Sequence, residues 1–136
     1  MIKLLIILFL ITATYASDNK KASTIFNLVA KEITKKSAPN IYLYKYNESI
    51  KKYPGSLKIV TECAKADIVI LSTIKDIPEE CLEKILFGTR YSHLKNINVV
   101  GAFFWQKGRP NILFYQKRLN RNSITLNPSF DKYIED

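Results

Sequence analysis

The chain has 136 residues, with 21 Lys and Arg against 12 Asp and Glu (formal net charge +9 at pH 7), and 47% of its residues are hydrophobic. That length and composition correspond to one ordinary domain, able to bury enough apolar surface to fold without cross-links. One histidine and two cysteines with no CxxC are too few soft ligands at the wrong spacing for a zinc site of ordinary composition, so no metal is expected.

The opening run, MIKLLIILFLITATYA, sets Lys3 ahead of an unbroken apolar stretch from Leu4 to Ile11, then small and polar residues, then Ser17-Asp18-Asn19-Lys20-Lys21. Charged, apolar, small is the order of a secretory signal peptide. The stretch falls short of the ~20 apolar residues that span a bilayer. Cleavage after Ala16 is therefore expected over retention as an anchor, although Thr14 occupies the −3 position. Residues 17–136 then form a single domain of 120 residues with a charge of +8. A periplasmic or secreted domain has no routine access to ATP, NADH or chromosomal DNA. Its charge suggests an anionic partner, such as a membrane surface, an acidic protein, a polyanion or a small anion, with nucleic acid set aside. Much of the excess is scattered lysine, including Lys20, Lys21, Lys31, Lys35, Lys36, Lys51, Lys52 and Lys58, as expected of a solvated surface.

From Ala22 to Lys36, Ile25, Leu28, Val29 and Ile33 recur at helical spacing, lysines occupy the last turn, and Pro39 stops continuation. Asn40 to Tyr46 is aromatic and β-branched and predicts a strand. Asn47 to Tyr53 predicts a short helix or loop, Pro54-Gly55 a turn, and Leu57 to Thr61 a second strand. Ala66 to Ser72, ADIVILS, is apolar at nearly every position, which predicts a strand buried on both faces. Pro78-Glu79-Glu80 predicts a helix start, with Leu82, Ile85 and Leu86 as its apolar face up to Gly88. Thr89 to Asn96, which includes His93, is a polar loop. Asn98 to Trp105 and Asn111 to Tyr115 flank Gln106 to Pro110 and predict a β-hairpin. Gln116 to Asn122 predicts a basic helical turn, Ile124 to Leu126 an extended piece, and Asn127-Pro128-Ser129 the cap of a terminal helix carrying Phe130, Tyr133 and Ile134. Strands and helices intermix. The expected fold is α/β: a small layered sandwich with a mixed central β-sheet and helices on both faces.

In an exported chain, Cys63 and Cys81 suggest a disulfide. Cys63 precedes the strand at Asp67 to Leu71 and Cys81 follows it, so a bond requires Thr73 to Glu80 to double back. A bond between subunits, which would make a homodimer, and two buried free thiols stay open alongside it.

No enzyme signature is present. There is no GxGxxG, no P-loop and no GxSxG, so no nucleotide or other cofactor is expected. His93 sits in a polar loop where a surface residue is expected more often than a base. Glu79 and Glu80 already have a structural reason at a helix start. The one dense constellation is Gly101 to Arg121. It holds Trp105 with Phe103, Phe104, Phe114 and Tyr115, and the cations Lys107, Arg109, Lys117, Arg118 and Arg121. Tryptophan and arginine most often carry interface energy, and guanidinium and backbone N–H groups at a hairpin tip suit a carboxylate or phosphate. Trp105, Lys107, Arg109, Arg118 and Arg121 are the candidate residues for a protein partner, or for a small anion clamped by Arg109 and Arg118. Core-filling aromatics and solvated tip charges are the structural alternative.

The strand ADIVILS, the Gly-led strand VVGAFFW turning through KGRPNILF, and the tail KRLNRNSITLNPSFDKYI together resemble the YfiR-like periplasmic proteins over Ile25 to Ile134. Ala66-Asp67, Gly101, Phe114 and Ile124 match that pattern. Ala38-Pro39 stands where the family has Trp-Pro, and Ala102 where it has the second of two glycines. The family's asparagine after Phe114 is missing, and its usual cysteine pairs do not map. The resemblance implies a small α/β domain that binds and restrains the periplasmic part of a membrane diguanylate cyclase, with disulfide state affecting the restraint. It also implies a protein partner at or in the inner membrane.

Overall fold

The structure is a computed structural model that describes the backbone of residues 2–136 and the side chains of residues 18–136. The leader expected over residues 1–16, with its cleavage site after Ala16, lies outside the residues whose side chains are described. The helix α1 spans Ile2–Thr34, followed by β1 (Asn40–Tyr44), α2 (Glu48–Lys52), β2 (Lys58–Val60) and β3 (Ile68–Leu71). Next come α3 (Glu79–Leu82), β4 (Ile85–Gly88), β5 (Val99–Gln106), β6 (Arg109–Tyr115), α4 (Gln116–Arg121) and β7 (Ile134–Glu135). The strands form one seven-stranded sheet in the order β2-β1-β3-β4-β5-β6-β7. β2, β1, β3, β4 and β5 run parallel, β6 is antiparallel to β5, and β7 is parallel to β6.

The expected α/β architecture holds, with a mixed sheet and helices on both faces. The alternation of β3 shows why both faces must be covered. Ile68 and Ile70 enter one apolar core, Val69 and Leu71 the other, and all four are buried. The winding follows from chain chirality. β1 to β2 moves toward one edge with α2 on the α1 face, whereas β2 to β3, β3 to β4 and β4 to β5 move the other way. A right-handed crossover moving the other way must pass over the opposite face. The connections carrying Cys63, Cys81 and Leu94 do so, packing in the second core.

The first core is closed by α1 through Ala22, Phe26, Val29, Ala30 and Ile33, spaced for one helical stripe. This stripe is rotated from the expected one, because Leu28 is 55% exposed. Pattern alone cannot tell which of two adjacent apolar rows faces the sheet. Here Phe26 takes the central place, edge-on to Phe103 with ring centroids 5.1 Å apart. On the neighbouring row, Asn27 donates to the Pro54 carbonyl (3.3 Å) and accepts from the Ser56 N–H (3.0 Å), which ties the turn after α2 to α1.

The second core is closed by short pieces: 3₁₀ turns at Cys63–Lys65 and Tyr91–Lys95, and the single turn α3. Cys63 and Cys81 are bonded to each other within the chain, with Cα atoms 5.2 Å apart, so the free-thiol and inter-subunit alternatives do not apply. The doubling back runs through Asp76, whose φ is +55°. It is fastened by the Tyr44 hydroxyl, which lies 2.6 Å from the Lys75 carbonyl and 2.8 Å from that of Asp76.

Three expected elements are corrected. The helix expected from Pro78 to Gly88 ends at Leu82, and Ile85–Gly88 is strand β4, inserted between β3 and β5. Leu86 and Phe87 there supply opposite cores, as a buried strand requires. The polar loop around His93 contains a 3₁₀ turn. The terminal helix is a 3₁₀ segment, Pro128–Tyr133, that delivers Ile134–Glu135 to the sheet edge as β7.

Two stability predictions follow from this packing. A Cβ on Gly101 would come within 2.5 Å of Phe114 Cδ1 and 2.6 Å of the Leu113 carbonyl, so Gly101→Ala should cost about 1–3 kcal/mol in urea unfolding. An unchanged midpoint would refute the close approach. The disulfide closes a loop with a sequence separation of 18. Replacing both cysteines by serine should cost about 3 kcal/mol on the chain-entropy model, and alkylation before reduction should label neither cysteine.

Candidate functional site

β4 ends at Gly88, opposite Ala102. β5 continues to Gln106 and, with β6, forms a two-stranded arm reaching roughly 13 Å past the end of β4 at ~3.3 Å per residue. The five-residue link expected from Gln106 to Pro110 is a two-residue turn. Gln106 pairs with Arg109, and Lys107 and Gly108 have φ of +52° and +74°. Positive φ at both central residues is the type I′ hairpin geometry, whose twist matches that of the strands. Gln106 to Pro110 are exposed. Trp105 is 41% exposed and lies edge-on to Phe103 at 5.7 Å. The base of the arm is fixed, because Phe103 packs on Phe26 and Phe104 on Tyr91.

The arm also leaves a strand edge partly unpaired. In a two-residue hairpin the residues flanking the turn form a hydrogen-bonded pair, so Trp105 and Pro110 do not. Proline, which has no N–H, fits that place. By alternation the backbone groups of Ile112 and Phe114 point away from β5. β7 pairs at Phe114 and Tyr115; the outer edge of Arg109 to Leu113 has no strand partner among the described residues.

The remaining candidates lie at the other end of β6. Arg118 Nη1 donates to the carbonyls of Leu94 (2.9 Å), Asn96 (3.2 Å) and Val99 (3.0 Å), and its guanidinium stacks 4.5 Å from the Tyr115 ring centroid. Arg121 Nη2 donates to the Ile97 carbonyl at 2.8 Å. Burial pushes the Arg118 pKa down; Tyr115 opposes that shift and Arg121 reinforces it. The five candidates therefore do not form one site. Trp105, Lys107 and Arg109 share the tip, while Arg118 and Arg121 lie roughly 20 Å away at ~3.3 Å per residue of β6. A clamp built from Arg109 and Arg118 is ruled out by this separation. The residues that actually neighbour Arg118 and Arg121 are Ile97, Tyr115, Lys117 and Asp136, around a cleft of about 490 Å³. Ile97 and Asp136 carry no local sequence signal because the fold alone brings them there.

His93 is corrected. It is 3% exposed rather than on the surface, and its Nδ1 accepts the Thr89 N–H at 3.0 Å. Burial, then the nearby Arg90, pushes its pKa below the ordinary value, so the ring is held neutral. At the carboxyl ends of β1 and β3, where open parallel sheets bind ligands at a change of winding direction, the Ser72 and Tyr44 hydroxyls are paired within the chain. Ser72 Oγ donates to the Tyr46 carbonyl at 2.8 Å, and the Tyr44 hydroxyl is held by the doubled-back loop. Among the described residues no cluster of three or more His, Cys, Asp or Glu could hold a metal ion, and no helix is long and apolar enough to cross a membrane.

No family model matches this chain, and a search of curated proteins finds no significant match. Among solved structures it is similar to a conserved domain protein from Vibrio cholerae O1 biovar El Tor, with a TM-score of 0.53 and 11% identity over 82% of this chain. The chain spans 58% of that protein's length. At this identity the likeness concerns the fold.

A histidine with a lowered pKa stabilises the fold fully above its unfolded value and loses that contribution as pH falls through the folded one. The urea midpoint should therefore fall between pH 7 and 5, above the window of Glu32 and Asp67. Burial raises the pKa of both carboxylates, but hydrogen bonds, from Lys35 and Asn127 to Glu32 and from Lys36 and Asn40 to Asp67, more than offset it and leave both lowered. His93→Asn, which keeps an acceptor for Thr89 but does not titrate, should flatten that segment. An equal slope in the variant would sink the assignment.

Proposed function

We propose that this chain is an exported, non-enzymatic regulatory or adaptor domain that binds a protein partner at the inner membrane through the tip of the β5–β6 arm. The observation that carries this reading is the half-exposed Trp105 beside Lys107 and Arg109, on a tight turn whose base is packed into the core. An aromatic anchor flanked by cations, held without loop disorder, loses little entropy on binding. It suits a partner surface that offers an apolar pocket rimmed by carboxylates.

Export is supported by the signal-like order of the first sixteen residues and by the disulfide, which persists in oxidising compartments. The resemblance to YfiR-like periplasmic proteins supplies the candidate class of partner, the periplasmic part of a membrane signalling protein such as a diguanylate cyclase.

The test is co-purification from solubilised membranes. Trp105→Ala combined with Arg109→Glu should reduce recovery of the partner at least about tenfold, the size expected for loss of an aromatic anchor and a charge contact. Lys58→Glu, on the opposite edge strand, should leave recovery intact. Equal recovery with the double variant, folded by circular dichroism, would overturn the site.

A further inference from the structure

No carboxylate side chain lies between Glu83 and Asp131, a stretch holding Lys84, Arg90, Lys95, Lys107, Arg109, Lys117, Arg118 and Arg121. Those eight cations carry nearly all of the +9 net charge. Outside that stretch four lysines pair with carboxylates among the described residues: Lys35 with Glu32, Lys36 with Asp67, Lys52 with Glu48 and Lys65 with Glu62, at 2.6, 2.6, 3.0 and 3.9 Å. No such pair involves Lys117, Arg118 or Arg121 among the described residues. These three meet around the cleft below β6, and the only acid in its lining is Asp136.

From this geometry we propose that the cleft between α4 and the segment entering β5 binds a small phosphate monoester. Two guanidiniums are held side by side by backbone carbonyls, Arg118 by those of Leu94, Asn96 and Val99 and Arg121 by that of Ile97. Their positions are thus set before any ligand arrives. Arg118 uses only Nη1 in these bonds, which leaves Nε and Nη2 with no protein acceptor among the described residues. Planar guanidinium forks match phosphate oxygens in pairs, and like charges held together are relieved by an anion between them. The cleft, at about 490 Å³, exceeds what a bare phosphate fills, and its walls include Ile97, 62% exposed, and the Tyr115 ring. That apolar wall fits the organic part of a monoester. The site is separate from the arm tip, so it stands or falls independently of the proposed partner interface.

Calorimetry with inorganic phosphate and with phenyl phosphate, against sodium chloride of matched ionic strength, tests this. Phenyl phosphate should bind more tightly than inorganic phosphate, and both should resist chloride competition. Because Arg118 also fastens the fold, the variants are Arg121→Gln and Lys117→Gln, both at exposed positions. Arg121→Gln should weaken phenyl phosphate about tenfold, the effect of losing one charge-assisted contact. Lys117→Gln should weaken it less, and Trp105→Ala should leave it unchanged. Three results would each overturn the site: no binding beyond the chloride control, equal affinity in Arg121→Gln with an unchanged melting temperature, or inorganic phosphate binding as tightly as phenyl phosphate.

Discussion

The whole fold depends on a sheet that must be covered on both faces. Four consecutive residues of β3, Ile68 to Leu71, send alternate side chains into two separate cores, and leaving either side open would expose side chains each worth about 1.5–3 kcal/mol of burial. The two covers differ in kind. α1 lays down one continuous stripe, so its contribution is cooperative along the helix. The opposite cover is assembled from single turns too short to be stable alone. The Cys63–Cys81 bond joins two of these pieces, and the buried His93 anchors the third through the Thr89 N–H. Both devices restrain backbone that has little helical hydrogen bonding of its own.

The same constraint makes the arm. Parallel neighbours end where their crossovers begin, so β4 stops at Gly88 and its chain turns away under the second core. β5 has no crossover to make, because a hairpin suffices, and it runs on. The close Gly101–Phe114 approach at the base and the Phe26–Phe103 contact above it fix the arm's direction. Trp105, next on the same side as Phe103, keeps one face on that ring at 5.7 Å and stays 41% exposed.

What was legible in the sequence follows the strength of each local signal. β3 shows in ADIVILS because a strand buried on both faces leaves an uninterrupted apolar run, and the hairpin shows because two such runs flank Lys-Gly. β4 was not legible. Leu82, Ile85 and Leu86 also satisfy helical spacing, and the Pro78-Glu79-Glu80 start is genuine, so only the vacancy between β3 and β5 decides that Ile85 to Gly88 is extended. The candidate site was half legible. Trp105, Lys107 and Arg109 are adjacent in space as in sequence. Arg118 and Arg121 belonged to the same dense segment only because β6 is short in residues; as a strand it is long in space. Their true neighbour Ile97 lies more than twenty residues upstream of Arg118 in the chain, beyond the reach of any local pattern.

Net charge alone would have been a poor guide, and its distribution is a better one. Some of the lysines of the first half answer nearby carboxylates: Lys36 to Asp67 joins the end of α1 to the start of β3, and Lys35 shares Glu32 with the Asn127 N–H at 2.5 Å. Those pairs are partly exposed and screened, worth little energy each, but they neutralise. From β4 to α4 the chain supplies no acid, and on that half of the sheet the cations are answered by the C-terminal Asp131, Glu135 and Asp136 beside β6; the excess potential is effective within about 8–10 Å. Two features set its separate ends apart. At the arm tip the cations are exposed around an aromatic anchor, an arrangement suited to capturing a large acidic surface. At α4 the guanidiniums are already fastened to backbone carbonyls, an arrangement suited to a small ligand that must find its donors in place. Arg118 also fastens the loop that leads into β5, so an anion bound there loads the root of the strand that carries Trp105. By linkage, any effect of that anion on arm binding must be matched by an equal effect of arm binding on the anion's affinity.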